Sequence, residues 1–229
     1  PTSESHALVA GLAGAGLATA GTNVLVWDGW KKVLVGLMFS TFLGLFGGFL
    51  VITAIYWLFR RAVPGKVRGT FRVLQVLSAG FMAFSHGSND GQKFMGAFTL
   101  ALVLGNVLPE FAIPTWVIFL CAATMALGTL TGGWRIIKTM GMKITKLEPH
   151  QGFAAEMAAA TTITIASRLG IPLSTTHTIS TAIVGVGAAR GLSAVRWGVT
   201  ANIVTAWILT FPICAGISWL VVKLVRAFS

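Results

Sequence analysis

Segment length is what most restricts how this chain can fold. Apolar stretches run at about 7–26, 33–59, 71–84, 94–108, 111–134, 153–169, 178–189 and 197–222. A helix needs about 20 residues to cross the hydrocarbon of a bilayer, so 33–59, 111–134 and 197–222 can each do so alone. The pairs 71–84 with 94–108 and 153–169 with 178–189 are half-length, and each flanks a polar break. Half-helices around a break form either a discontinuous spanning helix or a re-entrant hairpin. Lipid tolerates irregular backbone only where protein or a watery cavity covers it, so both breaks are expected to face a pathway. The expected fold class is an all-α integral membrane protein with discontinuous helices and re-entrant hairpins.

Composition agrees. Of 229 residues, 55% are hydrophobic and 10% charged, and mean hydropathy is +0.82, against about 25% charged residues in an ordinary soluble domain. The net charge of +11 would suggest nucleic acid in a soluble protein. Here the basic residues gather at 60–72 and 135–146, at the ends of apolar stretches, as cytoplasmic loops do; a nucleic-acid partner is excluded and the lipid bilayer takes its place. Cys121 and Cys214 lie inside apolar stretches and behave as small hydrophobes. The opening Pro1-Thr2-Ser3 lacks an initiator Met, which leads us to expect the back portion of a longer protein or one piece of a split one.

A polar cluster occurs twice. Pro172-Leu173-Ser174-Thr175-Thr176-His177 is echoed by Pro1-Thr2-Ser3-Glu4-Ser5-His6, and after a gap of four Trp30 aligns with Trp197. Each Trp leads an apolar run that ends in basic residues, Arg60 and Arg61 or Lys223 and Arg226. Repeated hydropathy halves with breaks at matching positions indicate a secondary transporter with its site near the midplane. With loops 60–72 and 135–146 both cytoplasmic, an inverted relation is favoured over a parallel one. The expected layout is residues 1–59 as the end of a first repeat, a basic loop at 60–72, and a second repeat at 73–229. That second repeat comprises a broken helix 73–108, a span 111–134, a hairpin 153–189 and a span 197–222.

The first break, Phe84-Ser85-His86-Gly87-Ser88-Asn89-Asp90-Gly91-Gln92-Lys93, is the densest polar cluster in the chain. Ionisable groups at membrane depth cost several kcal/mol unless paired or hydrated, so Asp90 and Lys93 are functional candidates. Gly87 and Gly91 are expected to let the backbone unwind, freeing carbonyls for a hard cation. In the second break Gly170 can end one half-helix and Ser174 can cap the next. Helix N-termini present unpaired N–H groups and partial positive charge, which makes three adjacent hydroxyls there an oxyanion site.

These motifs, with Gly152-Phe153 leading to Glu156, closely resemble the second half of the inorganic phosphate transporter (Pit) family. That family carries a Gly-Ala-Asn-Asp-type signature and a Pro-x-Ser-Thr-Thr-His signature in each of two inverted repeats, and Pro1 to His6 looks like the first-repeat copy of the latter. The resemblance implies that Ser174, Thr175 and Thr176, with Thr2, Ser3 and Ser5, surround phosphate, and that Asn89 and Asp90 serve both substrate and coupling cation. Glu156 matches an intramembrane glutamate linked to transport; read directly, it is a lone carboxylate in a small-residue run and a candidate for proton coupling. His86, Ser88, Lys93, His6 and His177 are expected in supporting positions. Ser88 stands where alanine is commoner. Gln92-Lys93 resembles members regarded as proton-coupled or as carrying metal-phosphate complexes. Glu4 replaces a usual hydroxyl and must turn away, carry a proton or help hold a cation.

The implied function is symport of inorganic phosphate, free or as a metal complex, with protons, sodium or a divalent cation, in a multi-pass cell-membrane protein of bacterial or archaeal type. The implied partners are that anion, its coupling cation and the missing N-terminal portion, with a homodimer left open and no cofactor or tightly bound metal. The alternative is a transporter of another tetrahedral oxyanion such as sulfate, since hydroxyls and N–H groups do not choose between them. An enzyme is not expected, because His86, Asp90 and Glu156 have no nucleophile or metal constellation beside them.

Overall fold

A computed structural model describes residues 2–228. Eight α-helices follow one another: α1 (Glu4–Ala20), α2 (Trp27–Leu58), α3 (Pro64–Leu104), α4 (Thr115–Gly132), α5 (Trp134–Lys138), α6 (Pro149–Arg168), α7 (Thr175–Ala188) and α8 (Trp197–Phe228). Four helical segments, Glu4–Val24, Trp27–Leu58, Thr115–Gly132 and Trp197–Phe228, are long and apolar enough to span a membrane. Large apolar side chains such as Phe39, Phe46, Phe119, Leu130 and Ile208 are exposed along them. On a soluble protein so much exposed apolar surface would drive aggregation; in a bilayer it is the lipid-facing surface.

The expected hairpin is present. Helix α6 ends in a Schellman arrangement, with Gly170 N–H on Ser167 O at 3.2 Å and Ile171 N–H on Ala166 O at 2.9 Å. Gly170 sits at φ +66°, a conformation that costs any other residue a steric penalty. Pro172 prevents immediate resumption of the helix, and Ser174 starts α7 by accepting from His177 N–H at 3.2 Å.

The other break is not a break. Residues 73–108 were expected to form a broken helix, yet α3 runs through Gly87 and Gly91 without interruption for 41 residues, about 60 Å at 1.5 Å per residue. It also absorbs most of the basic loop expected at 60–72. Two glycines cost a helix about 1 kcal/mol each. Against this, His86, Asn89, Asp90 and Lys93 stand three or four residues apart and bond one another along the helix surface. The polar residues form a stripe on an intact helix, and no unwound carbonyls are available there for a cation.

That stripe zips α3 to α6. Ser78 donates to Glu156, Ser85 pairs with Thr164 at 3.0 Å, and Asn89 donates to Ser167 at 2.6 Å. Numbers rise together along both helices, so the two run parallel, and the basic segments before α3 and before α6 lie on one side of the membrane. In lipid, where apolar surface gives little drive for association, polar pairs and close backbone approach hold helices together.

Close approach joins the repeats. Helix α7 lies along α2: a Cβ on Gly36 would overlap Pro172 O, one on Gly44 would overlap Thr178 O, and one on Gly48 would overlap Ala182 O. In return, a Cβ on Gly185 of α7 would overlap Leu45 O. Helix α1 lies along α8 in the same sense, with Gly14 against Ala215 O and Arg226 donating to Thr19 O at 3.3 Å. Each repeat's hydroxyl-led helix thus packs on the long helix of the other repeat, and α1 and α7 meet only at their starts. This reciprocal, inverted exchange is the expected repeat relation. Gly48→Leu should drive α2 and α7 apart at a cost of about 1–3 kcal/mol or more, whereas Gly216→Leu on the lipid side of α8 should be neutral; thermal unfolding in detergent separates the two.

Candidate functional site

The starts of α1 and α7 converge. Ser3 and Ser174 each cap a helix, accepting from His6 N–H at 3.3 Å and His177 N–H at 3.2 Å, and their hydroxyls bond each other at 2.8 Å. Both serines are essentially inaccessible. Each helix N-terminus carries roughly half a positive charge and first-turn N–H groups that the helix does not use. Two such ends brought together repel one another unless negative charge lies between or beside them.

Asp90 supplies one such charge and is wholly buried, 0% exposed. Its carboxylate accepts from Thr175 Oγ1 at 2.6 Å, from Lys93 Nζ at 2.7 Å and from His86 Nδ1 at 3.0 Å. The Thr175 hydroxyl, expected to face substrate, is therefore committed to Asp90 and ties α7 to α3. Lys93 Nζ donates in addition to Asn89 Oδ1 at 2.5 Å, Ser5 Oγ at 2.8 Å and Leu173 O at 2.9 Å. Ser5 also donates to Leu173 O at 3.3 Å. A cavity of about 100 Å³ bordered by Ser5, His6, Lys93, Pro172 and Leu173 adjoins this cluster. The rest of its lining, Leu8, Val9, Val33 and Leu37, is apolar.

Thr176 is half-buried at the same helix start, and its hydroxyl enters no hydrogen bond among the described residues. Thr2 and Ser88 are exposed; Ser88 lies off the Asn89–Asp90 stripe because neighbouring residues on a helix face different ways. Glu156 stands further along α6, bonded to Ser78 on the zipper rather than in the hydroxyl cluster. Glu4, in the first turn of α1, lines with His86 one part of a largely apolar cavity of about 1070 Å³ between α3 and α4.

Four participants, Ser167, Thr164, Thr41 and Trp207, belong to no motif in the sequence. Ser167 and Thr164 hold the polar face of α3, and Thr41 Oγ1 lies 3.4 Å from His177 Nδ1. His177 stacks on Trp207 with ring centres 3.6 Å apart, His6 meets His177 edge-on at 4.5 Å, and His6 Nδ1 lies 3.4 Å from Trp207 O. The small-residue series Gly36, Ser40, Gly44 and Gly48 at four-residue spacing was the one legible signal for the α2–α7 contact. Ser167 sits in a run whose polar residues have no period that separates a helix partner from an ordinary surface.

A family model described as the phosphate transporter family matches residues 1–66 and 60–218. The chain belongs to the phosphate transporter family. It is 52% identical over 219 residues to a "Probable low-affinity inorganic phosphate transporter" of Rhizobium meliloti, covering 95% of this chain and 66% of that protein. A protein of Bacillus subtilis with the same description is 39% identical, covering 94% and 65%. The chain thus spans about two thirds of the length of these relatives. A solved structure titled "The sodium-dependent phosphate transporter" superposes with a TM-score of 0.90 at 26% identity, covering 100% of this chain and 74% of that one. This family member is a multi-pass membrane protein, and its family is one of transporters rather than enzymes.

Asp90→Asn should cost about 3–5 kcal/mol of stability, because it leaves the Lys93 ammonium without its buried partner. Adding Lys93→Met should recover part of that loss. Chemical or thermal unfolding of the full-length protein in detergent checks both; a single variant as stable as the wild type would show that the pair contributes nothing.

Proposed function

We propose that the full-length protein is an ion-coupled symporter of inorganic phosphate, and that phosphate binds where α1 and α7 start. The observation that carries this reading is the 2.8 Å contact between the two capping serines. It brings two helix N-termini to one point, a ready-made site for a tetrahedral oxyanion. The family match and the relatives described as inorganic phosphate transporters support the choice of cargo. A hydrogen phosphate ion can donate a proton to an acceptor, which sulfate cannot do, and the Thr176 hydroxyl at the α7 start engages no other partner among the described residues. The exchange of α1 and α7 between long helices supports this reading, because repeat-built transporters hold their substrate between the repeats.

Vesicles containing the full-length protein should accumulate labelled phosphate and not sulfate; equal uptake of both would reject the cargo assignment. Thr176→Val removes a hydroxyl that supports no other contact. It should raise the KM for phosphate about tenfold to a hundredfold, the worth of about 1.5–3 kcal/mol for a bond to a charged group, with unfolding unchanged.

Coupling is assigned to protons through Glu156, an acid placed on the α3–α6 zipper by Ser78. In Glu156→Gln the dependence of uptake on external pH should flatten, and a sodium gradient alone should drive the wild type poorly. Strict sodium dependence with an unchanged pH profile would move the coupling site elsewhere.

A further inference from the structure

Lys93 occupies a place usually reserved for an ion. Its Nζ is surrounded by oxygens from three separate segments: Asn89 Oδ1 and Asp90 Oδ1 from its own helix at 2.5 and 2.7 Å, Ser5 Oγ from α1 at 2.8 Å, and Leu173 O from the segment before α7 at 2.9 Å. An ammonium has three protons, so four acceptors exceed what it can bond singly and one proton must be shared. Such a cage of carboxylate, amide, hydroxyl and carbonyl oxygens is the ligand chemistry of a hard cation. It also joins both repeats, since Ser5 belongs to one and Asn89, Asp90 and Leu173 to the other.

We propose that Lys93 is a tethered cation: its ammonium permanently fills a four-oxygen alkali-cation cage, so that the second repeat needs no dissolved cation there, and the cage takes sodium or potassium once the ammonium is removed. The inference rests on the transporter reading of this site but not on which anion is carried. The tether explains the geometry economically. Positions 89, 90 and 93 on one helix face bring the ammonium back onto its own helix, while Ser5 and Leu173 close the cage from the other side. A fixed positive charge at this point offsets Asp90, so the paired helix N-termini are only partly compensated and still attract an anion. A cation that drives transport must then bind elsewhere.

The test uses the full-length transporter purified in detergent, with no phosphate present, and measures saturable binding of radioactive sodium and of rubidium as a potassium probe. Lys93→Ala should bind one more equivalent of one of these ions per chain than the wild type. That ion should raise the variant's unfolding temperature where choline does not. Lys93→Met keeps the cage filled with an uncharged chain and should gain no equivalent. Equal ion binding by Lys93→Ala and wild type, a gain in Lys93→Met as well, or failure of Lys93→Ala to be recovered folded in either sodium or potassium chloride would each overturn the proposal. Because no anion enters the measurement, a failure to transport phosphate in the vesicle experiment leaves this outcome readable by itself.

Discussion

A carboxylate with no access to solvent cannot remain charged inside a membrane protein unless donors replace its water, and Asp90 has three: Thr175, Lys93 and His86. Two of them lie on its own helix and the third on α7, so solvation of a single group also docks α3 against the helix that starts at Ser174. The same Lys93 that neutralises Asp90 reaches Ser5 and Leu173. Both repeats therefore converge on one buried charge pair. Breaking such a pair costs more than the pair contributes, because the remaining partner is left charged in a low dielectric.

Around that pair, two different kinds of interface hold the helices. The α3–α6 contact is polar, a ladder of side-chain hydrogen bonds between parallel helices. The α2–α7 and α1–α8 contacts are made of glycine against backbone carbonyl, where no side chain fits. Apolar side chains fill in around both: Phe71 of α3 meets Phe153 of α6 edge-on, and Ile52 and Ile55 of α2 share one buried cluster with Ile183 and Val186 of α7. The glycine contacts fix the heights of α1 and α7 relative to their long partners. They thereby set where the two serine caps meet.

The half-length apolar segments were read as two broken elements, and the structure makes only one of them so. At 169–174 the reading holds because Gly170 in the left-handed region and Pro172 act on the backbone itself. At 84–93 the same kind of polar interruption lies on a continuous helix. Hydropathy falls further at 84–93 than at 170–177, yet the shallower dip is the true break, since hydropathy averages side chains and ignores which face they occupy. The difference lay in the spacing of His86, Asn89, Asp90 and Lys93, which is helical, whereas Pro172 to Thr175 contains a residue that cannot continue one. Ser88, adjacent to Asn89 in sequence, is exposed for the same geometric reason.

What the sequence determined by itself is local or repeated: membrane residence, from the length and apolarity of its segments; the serine caps, because capping needs only a hydroxyl three residues before an N–H; the turn at Gly170; and the existence of two related halves. Only the tertiary structure decided what meets what. That Thr175 serves Asp90, that Asn89 serves Ser167, that Lys93 sits among oxygens of both repeats, and that α1 packs on α8 while α7 packs on α2 all follow from the crossing of helices far apart in the chain. Polar side chains in a membrane must find partners wherever the packing puts them, and the packing is set by backbone shape at a few glycines, which carry no side chain to announce it.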